Sequence, residues 1–253
     1  MDKPAAGRSR QEEPMSNTLT TKLTSFSDLS AEEAAALDAV CNDTFTVKGR
    51  DLIRVGDRPE QVFLVLNGWA CRYKDLPDGK RQILAYLIPG DLCDPHIFIF
   101  EQMDHSIRAI GEARVAAIPK QVILDLTERY PALARGLWWS ALVDEAVSRE
   151  WLVNVAQRDP YTRMAHLFCE IWLRMCQVKL TTGGTFDLPL TQEQLGDTLG
   201  ITPVHVNRVL QRLRAEGLVT TRDRRMTIHD VDALKAAAEF DPRYLHLDAR
   251  AAA

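Results

Sequence analysis

The sequence predicts an α+β protein in which an N-terminal antiparallel β-roll is followed by a long helix and a C-terminal winged helix-turn-helix. Three observations support this fold class. Short β-rich runs separated by glycine and proline lie between residues 45 and 118, a helical period without breaks follows over 131–158, and two short helical segments joined by a turn occupy 191–213. The 253 residues suffice for two domains with separate cores.

Composition limits the classes of protein to consider. A chain with 46% hydrophobic and 26% charged residues is typical of a folded globular protein. The net charge of −4 argues against a protein that coats nucleic acid, so affinity for DNA must come from a local basic surface. The sequence contains neither an apolar run of about 18 residues, which a membrane span requires, nor the apolar core of a secretory signal. We therefore expect a cytoplasmic protein without a membrane partner.

Cysteine usage argues against a metal site. The five cysteines are odd in number and widely spaced, which is typical of reduced thiols in the cytoplasm. No pair has the spacing of a zinc or iron–sulfur site. We therefore predict neither metal nor other cofactor.

The N-terminal part divides into a tail and a roll domain. Residues 1–22 are polar at their start and punctuated by proline, which predicts a disordered tail in which Met15 is an alternative start to Met1. Residues 23–130 form the predicted roll domain. Its expected strands are Leu52–Val55, Val62–Leu66, Ala70–Tyr73, Ile83–Ile88 and Val115–Ile118.

Local signals also place turns and a helix in this domain. The tripeptide Pro77-Asp78-Gly79 predicts a hairpin between two strands, and Gly68 and Gly90 predict turns between others. Ser30 followed by Glu33 is a capping box, which predicts a short helix over Leu29–Val40.

Residues 131–158 predict a helix of about seven turns, which is long for a globular domain. Two of its faces are partly apolar, and a helix that buries two faces commonly lies between its own domain and a partner subunit. We therefore predict a homodimer joined along this helix; in the alternative interpretation the tryptophans pack only on the roll. The predicted contact residues are Leu137, Trp138, Ala141, Trp151 and Val155.

Residues 159–240 form the predicted winged helix-turn-helix domain, followed by a tail over 241–253. Thr191 begins a capping box, and Thr202 precedes a proline at the first position of the second helix. Gly196 is expected where the two helices cross, and Gly200 where the first helix ends with a positive φ. Residues 218–228 predict a hairpin, the wing.

The second helix predicts a surface for DNA. Its apolar positions form one stripe, which leaves polar side chains on the opposite face. Arginine can bind guanine, and the amide of asparagine can bind adenine. An apolar side chain can pack against the methyl group of thymine. The expected base-reading residues are Arg208, Asn207, Val204 and His205. The expected phosphate contacts are Thr202, Gln211, Arg212, Arg222, Arg224 and Arg225. An ordinary helical hairpin with a solvated polar face is the alternative.

The order of parts resembles the Crp/Fnr family of bacterial transcription regulators. The resemblance rests on KGRDLIRVGDRPEQVFLVLNGWACRY at 48–73, on LTQEQLGDTLGITPVHVNRVLQRL at 190–213, and on the spaced glycines Gly49, Gly56, Gly68 and Gly90. It implies a cyclic nucleotide-binding-like roll and a homodimer that binds a near-palindromic site with both recognition helices in successive major grooves. It also implies RNA polymerase as a partner and Arg208 as the base-reading arginine.

Two departures from the family concern the ligand. Members that bind cyclic AMP carry a Gly-Glu pair for the ribose where this chain has Asp94 and Pro95, and an arginine for the phosphate a little further on. Residues 91–107 contain neither arginine nor lysine. A phosphate among carboxylates is unfavourable, so we expect an effector other than a cyclic nucleotide.

The cofactors of other members are not expected either. Iron–sulfur members have several cysteines near the N-terminus, whereas this chain has none before Cys41. Cys93 and His96 lie in the turn where a haem-binding carbon monoxide sensor of the family carries a Cys and a His, although the spacing differs. A haem-binding gas or redox sensor on the same scaffold is therefore the alternative.

No group of nucleophile, base and orienting residue stands out, nor does a glycine loop for phosphate, so we do not expect an enzyme. A small-molecule or protein-interaction module without DNA binding is the remaining alternative. For such a module, binding to its partner should depend only weakly on salt, whereas the affinity of a DNA-binding protein falls steeply as salt rises.

Overall fold

The computed structural model describes residues 17–95, 99 and 102–247. The predicted fold class is confirmed: an antiparallel β-roll precedes a long helix and a C-terminal winged helix-turn-helix. The elements are α1 (Thr18–Phe26), α2 (Ala31–Ala39), β1 (Thr44–Lys48), β2 (Asp51–Ile53), β3 (Gln61–Asp75), β4 (Arg81–Leu87), β5 (Leu92–Cys93), β6 (Ser106–Pro119), α3 (Lys120–Arg129), α4 (Pro131–Gln157), α5 (Pro160–Gln177), β7 (Thr185–Asp187), α6 (Gln192–Leu199), α7 (Pro203–Ala215), β8 (Val219–Arg222), β9 (Arg225–Ile228) and α8 (Val231–Ala237).

The roll is one antiparallel sheet in the order β1-β6-β3-β4, with β2 paired to β6 and β5 paired to β3. The predicted strands Val62–Leu66 and Ala70–Tyr73 belong to a single strand, because β3 runs without a break from Gln61 to Asp75. Gly68 lies inside this strand at a register shift, so the predicted turn at Gly68 is wrong. A Cβ there would lie 2.3 Å from the carbonyl oxygen of Glu112, which explains why this position of the bulge holds glycine.

Other local predictions in the roll have mixed outcomes. The hairpin at 77–79 is confirmed between β3 and β4, and the capping box of Ser30 and Glu33 begins α2. Strand β6 is much longer than the predicted strand over 115–118, and α3 was not predicted. Polar residues interrupt the alternation of apolar and polar side chains in the first half of β6, so the sequence pattern did not predict this part of the strand.

The predicted tail over 1–22 is wrong for its last residues, because Thr18 begins α1. Leu19 and Leu23 of this helix are buried between the roll and α4. The Nζ of Lys22 lies 2.6 Å from the Oδ1 of Asp91, in the turn that precedes β5. Residues 1–16 lie outside the described residues.

The predicted tail over 241–253 is also wrong in part. A short 3-10 helix covers Pro242–Leu245, and Leu245 is fully buried. The hydroxyl of Tyr244 donates to the Oε2 of Glu170 at 2.9 Å. Two anchoring side chains within so short a segment produce no periodic pattern that a sequence could reveal. Residues 248–253 lie outside the described residues.

Two hydrophobic cores hold the elements together. One joins the roll to α1 and the start of α4, and the other surrounds α5 and the winged helix. The second core includes Trp69 and Tyr86 of the roll. Tyr86 also makes a hydroxyl contact with Thr198 of α6, and the Nε2 of Gln82 donates to the carbonyl oxygen of Thr198 at 3.1 Å. The roll therefore packs directly on the first helix of the helix-turn-helix.

Within the described part of the chain, no helix combines the length and the apolar character that a membrane span needs.

Candidate nucleic-acid interface

The two helices α6 and α7 begin and end where the sequence predicts. The backbone N–H of Gln194 donates to the Oγ1 of Thr191 at 3.1 Å, and the N–H of Thr191 donates to the Oε1 of Gln194 at 3.0 Å. This reciprocal pair is the predicted capping box. Gly200 ends α6 with a φ of 65°, as the left-handed C-cap requires.

Gly196 leaves no room for a side chain. A Cβ on this residue would lie 2.6 Å from the carbonyl oxygen of Ile201. The close neighbour is the backbone of the turn rather than a side chain of α7. The short distance between α6 and the turn therefore fixes where α7 begins.

Helix α7 buries one face and exposes the other. Val206, Val209, Leu210 and Leu213 are buried, which confirms the predicted apolar stripe. On the opposite face Val204 is 71% exposed, and Arg208, Gln211 and Arg212 are also exposed. His205 and Asn207 are only half-buried, and the N–H of His205 donates to the Oγ1 of Thr202 at 3.3 Å.

The two outward arginines of α7 differ in their partners. Arg208 makes no ion pair with any residue that the structure describes, so its guanidinium can approach a base edge. The Nε of Arg212 donates to the Oε1 of Glu216 at 2.9 Å, and its guanidinium lies 3.9 Å from the ring centre of Tyr161. Arg212 is thus held beside the start of α5, and its pKa is raised by the hydrogen bond with Glu216.

The wing is the hairpin of β8 and β9, joined by Asp223 and Arg224. Both residues have a positive φ, as a two-residue hairpin turn of the I′ type requires. Arg222 and Arg225 each lie 3.3 Å from a carboxylate, of Asp223 and Asp187 respectively. The Nη1 of Arg224 lies 3.8 Å from the position of a Cβ on Gly111, so this side chain is directed towards the roll.

Two family models match this chain. The cyclic nucleotide-binding domain matches residues 46–130, and the Crp-like helix-turn-helix domain matches residues 162–237. Their order is that of the roll and the winged helix. The chain belongs to the Crp/Fnr family of transcription regulators.

Curated relatives agree with this assignment. The chain is 25% identical over 201 residues to the transcriptional activator protein FnrL of Cereibacter sphaeroides, covering 78% of this chain and 80% of the relative. It is 26% identical over 214 residues to the nitrogen fixation regulation protein FixK of Bradyrhizobium diazoefficiens, covering 83% and 89%.

The solved structure of FixK2 from Bradyrhizobium japonicum has the same fold, with a TM-score of 0.66 at 22% identity, covering 77% of this chain and 96% of that one. The Crp/Fnr protein described here is a DNA-binding regulator, and the alternative of a module without DNA binding is not favoured.

A hinge arginine that sequence reasoning missed connects the long helix to the helix-turn-helix of this Crp/Fnr chain. The Nε of Arg163 donates to the carbonyl oxygen of Asn154 at 2.9 Å, and its Nη2 donates to those of Val155 and Arg158 at 3.1 and 2.8 Å. Its Nη1 donates to the carbonyl oxygen of Leu199. The only signal in the sequence is its place four residues after Asp159, the N-cap of α5, which does not identify its partners.

Helix α4 exposes an apolar stripe. Trp138 is 75% exposed, Leu152 68% and Leu142 55%. Trp151, which we predicted to contact a partner subunit, is half-buried, and its Nε1 donates to the Oε2 of Glu170 on α5 at 3.0 Å. Of the other predicted contact residues, Leu137 and Ala141 are half-buried and Val155 is 40% exposed.

The turn after β4 contains a buried carboxylate. Asp91 lies 2.6 Å from the Nζ of Lys22 and 2.8 Å from the Nη2 of Arg174, and it accepts from the N–H of Ile88 at 2.8 Å. Burial alone would raise the pKa of Asp91, but the two cations outweigh burial and lower it. This carboxylate therefore binds α1 and α5 to the roll.

Cys93 gives the haem alternative no support. The thiol is fully buried in β5, and burial raises its pKa, which disfavours the thiolate that ligates iron. His96, the second residue of that alternative, lies outside the described residues.

Proposed function

We propose that this regulator binds a near-palindromic DNA site as a homodimer, with α7 of each subunit in successive major grooves. The observation that carries the proposal is the exposed face of α7, on which the side chains of Val204 and Arg208 are accessible to solvent. Two such helices on a twofold axis fit half-sites whose centres are about 34–36 Å apart.

Each outward residue of α7 has a proposed role. Arg208 binds O6 and N7 of guanine, and Val204 packs against a thymine methyl group. Asn207 pairs with adenine, and His205 contacts the neighbouring base or phosphate. Because Asn207 and His205 are half-buried, we place them second to Arg208 in sequence discrimination.

Phosphate contacts position the protein on the duplex. The proposed residues share exposed donors around α7 and the wing; they are Thr202, Gln211, Arg212, Arg222, Arg224 and Arg225. Glu216 and Asp187 would give up Arg212 and Arg225 to the phosphates, because the duplex presents a dense row of negative charges and releases counterions on binding. Such exchange makes binding strongly dependent on salt.

The dimer forms along α4 through Trp138, Leu142 and Leu152, with Leu137, Ala141 and Val155 beside them. Residues 138, 142, 145, 149 and 152 follow the spacing of a helical seam, and the third and fourth of them, Glu145 and Arg149, are paired at 2.6 Å. An exposed tryptophan and two leucines on one helix are a common mark of a protein interface. The protein works in the cytoplasm with RNA polymerase as its partner and is not an enzyme.

The effector differs from a cyclic nucleotide. Asp91 and Asp94 are both buried in the turn region, and the cations beside them, Lys22, Arg174 and Arg72, already form ion pairs with these carboxylates. Calorimetric titration with cyclic AMP and cyclic GMP should show no binding in the micromolar range. Micromolar binding of either nucleotide would refute this part of the proposal.

Selection of random duplexes by the purified protein tests the DNA-binding proposal. We expect retained fragments to share a near-palindrome, with binding that falls steeply between about 50 and about 200 mM salt. A matched library screened with the Arg208→Ala variant identifies the base pairs that Arg208 reads. A monomeric protein that retains no duplex, with or without cell extract, would rule the proposal out.

A further inference from the structure

A buried ion network joins three elements of the roll domain and α4. The Nε of Arg72, on β3, lies 2.7 Å from the Oδ1 of Asp94, in the turn after β5. The Nη1 of Arg72 donates to the Oδ2 of Asp144 on α4 at 3.1 Å. The Nε2 of His105 lies 2.7 Å from the other oxygen of Asp94. We call these four residues the Arg72 bridge.

The bridge is buried where unpaired charge is costly. Only 2% of the Asp94 side chain and 12% of the Arg72 side chain are exposed. A buried charge that loses its partner is strongly destabilising, so Arg72 and Asp94 depend on one another. Burial alone would lower the pKa of Arg72, but Asp144 and Asp94 outweigh burial and raise it.

The backbone at Asp94 points to the same conclusion. Its φ is 53°, in the left-handed region that residues other than glycine adopt only when their surroundings hold them there. Arg72 and His105 bind one oxygen of Asp94 each, which fixes both the side chain and this turn.

We propose that Arg72 is a positioning residue that docks α4 on the roll through Asp94 and Asp144, so that the DNA-binding arrangement exists without a bound small molecule. A ligand that links a roll to a neighbouring helix must contact both, and Arg72 already does so from within the chain. This inference rests on the proposed DNA-binding function and adds that no effector is required to place α4.

The position of α4 matters because of what the helix carries. Its middle presents the exposed stripe of Trp138, Leu142 and Leu152, and its C-terminal carbonyls bind Arg163, which also contacts Leu199 of α6. A change in how α4 sits on the roll therefore changes how the two recognition helices are placed. Arg72 acts on DNA binding through α4 and not by contact with DNA.

The test compares the DNA affinity of wild-type and variant dimers. Mass spectrometry of the denatured protein first shows that these dimers release no small molecule. The duplex is the site recovered by selection, and affinity is measured by fluorescence anisotropy with and without the small-molecule fraction of a cell extract. The variants are Arg72→Met, Asp144→Asn and the double variant. Arg54→Met is the control, because the Arg54 side chain is 73% exposed and its ion pair with Asp51 stays within the roll.

We expect wild-type protein to bind equally with and without the extract. Arg72→Met and Asp144→Asn should bind roughly five- to a hundredfold more weakly. The double variant should be no weaker than Arg72→Met, because both substitutions break the same bridge. Arg54→Met should match the wild type, and all four variants should remain dimeric in light scattering.

Four outcomes separate the hypotheses. Wild-type protein that binds the site only with the extract overturns the inference and leaves the proposed function intact. Full affinity in Arg72→Met also overturns it. If circular dichroism shows that Arg72→Met does not fold, Asp144→Asn provides the test, because the side chain of Asp144 is 37% exposed and its replacement should leave the protein folded. Full DNA affinity in Asp144→Asn would then overturn the inference. Failure of the wild type to bind any duplex instead refutes the proposed function.

Discussion

Arg163 donates a hydrogen bond to the carbonyl oxygen of Leu199, the last residue of α6. The same guanidinium binds carbonyl oxygens of Asn154, Val155 and Arg158 at the end of α4. The last carbonyls of a helix have no partner within it, and one arginine offers five donors in a rigid plane. Arg163 therefore fixes the helix-turn-helix relative to the long helix.

Replacing Arg163 should disturb DNA binding and stability together. We expect Arg163→Ala to lower the free energy of unfolding by about 1–3 kcal/mol, because several carbonyls lose their donor. DNA affinity should fall as α6 loses its fixed position. Thermal unfolding and anisotropy measure the two effects, with Arg129→Ala as control, since Arg129 is a 72% exposed side chain on α3. Unchanged values for both would show that Arg163 does not couple the helices.

Loss of Arg208 should affect one base pair in each half-site. We expect Arg208→Ala to weaken binding by about 1–3 kcal/mol per half-site and to relax discrimination at that position. Anisotropy titrations against the selected site and its single-base variants measure both effects. Arg243→Ala is the control, because Arg243 is 89% exposed and lies in the C-terminal 3-10 helix. A variant that keeps full specificity at moderate salt would show that Arg208 does not read a base.

A charge in the α4 stripe should prevent dimerisation. Trp138 is 75% exposed in the single chain, so Trp138→Glu should leave the subunit folded while placing a carboxylate in the proposed interface. Light scattering should report a monomer, and DNA affinity should fall because one half-site is no longer bound. Val55→Glu, at a 63% exposed valine of the roll, is the control. A dimer that persists in Trp138→Glu would place the interface elsewhere.

Two helical glycines should respond in opposite ways to alanine. A Cβ at Gly196 would lie 2.6 Å from the carbonyl oxygen of Ile201, so Gly196→Ala should destabilise the protein by about 1–3 kcal/mol. At Gly136 the nearest atom is 3.6 Å away, on the side chain of Leu23, which is ordinary contact. Gly136→Ala should be neutral or stabilising by up to about 1 kcal/mol. Chemical denaturation measures both, and equal stabilities would contradict the steric argument.

His105 should make stability depend on pH. Burial alone would lower its pKa, but the hydrogen bond and charge of Asp94, with the contact to Asp104, outweigh burial and raise it above 6.5. Protonated His105 therefore contributes stability that is fully present below pH 6.5 and is lost as pH rises through the raised pKa. Urea unfolding across this range should show the loss in wild type and a smaller slope in His105→Gln. If stability falls equally steeply with pH in wild type and His105→Gln, groups other than His105 cause the pH dependence.

The sequence by itself determined the elements whose signals lie within a few residues. The caps at Thr191 and Thr202, the left-handed Gly200 and the hairpin at 77–79 appear where predicted, because each depends on hydrogen bonds or φ preferences inside one turn. The long α4 and the exposed face of α7 follow from helical periodicity. These suffice for the fold class and for the place of the candidate interface.

Only the tertiary structure decided contacts between distant parts of the chain. Gly68 is a bulge rather than a turn because β6 approaches it, and the indole N–H of Trp151 donates to Glu170 on α5. Arg72 and Arg163 find partners 72 and 36 residues away. Such contacts depend on how elements pack, and packing is set by the summed burial of many side chains rather than by any local pattern.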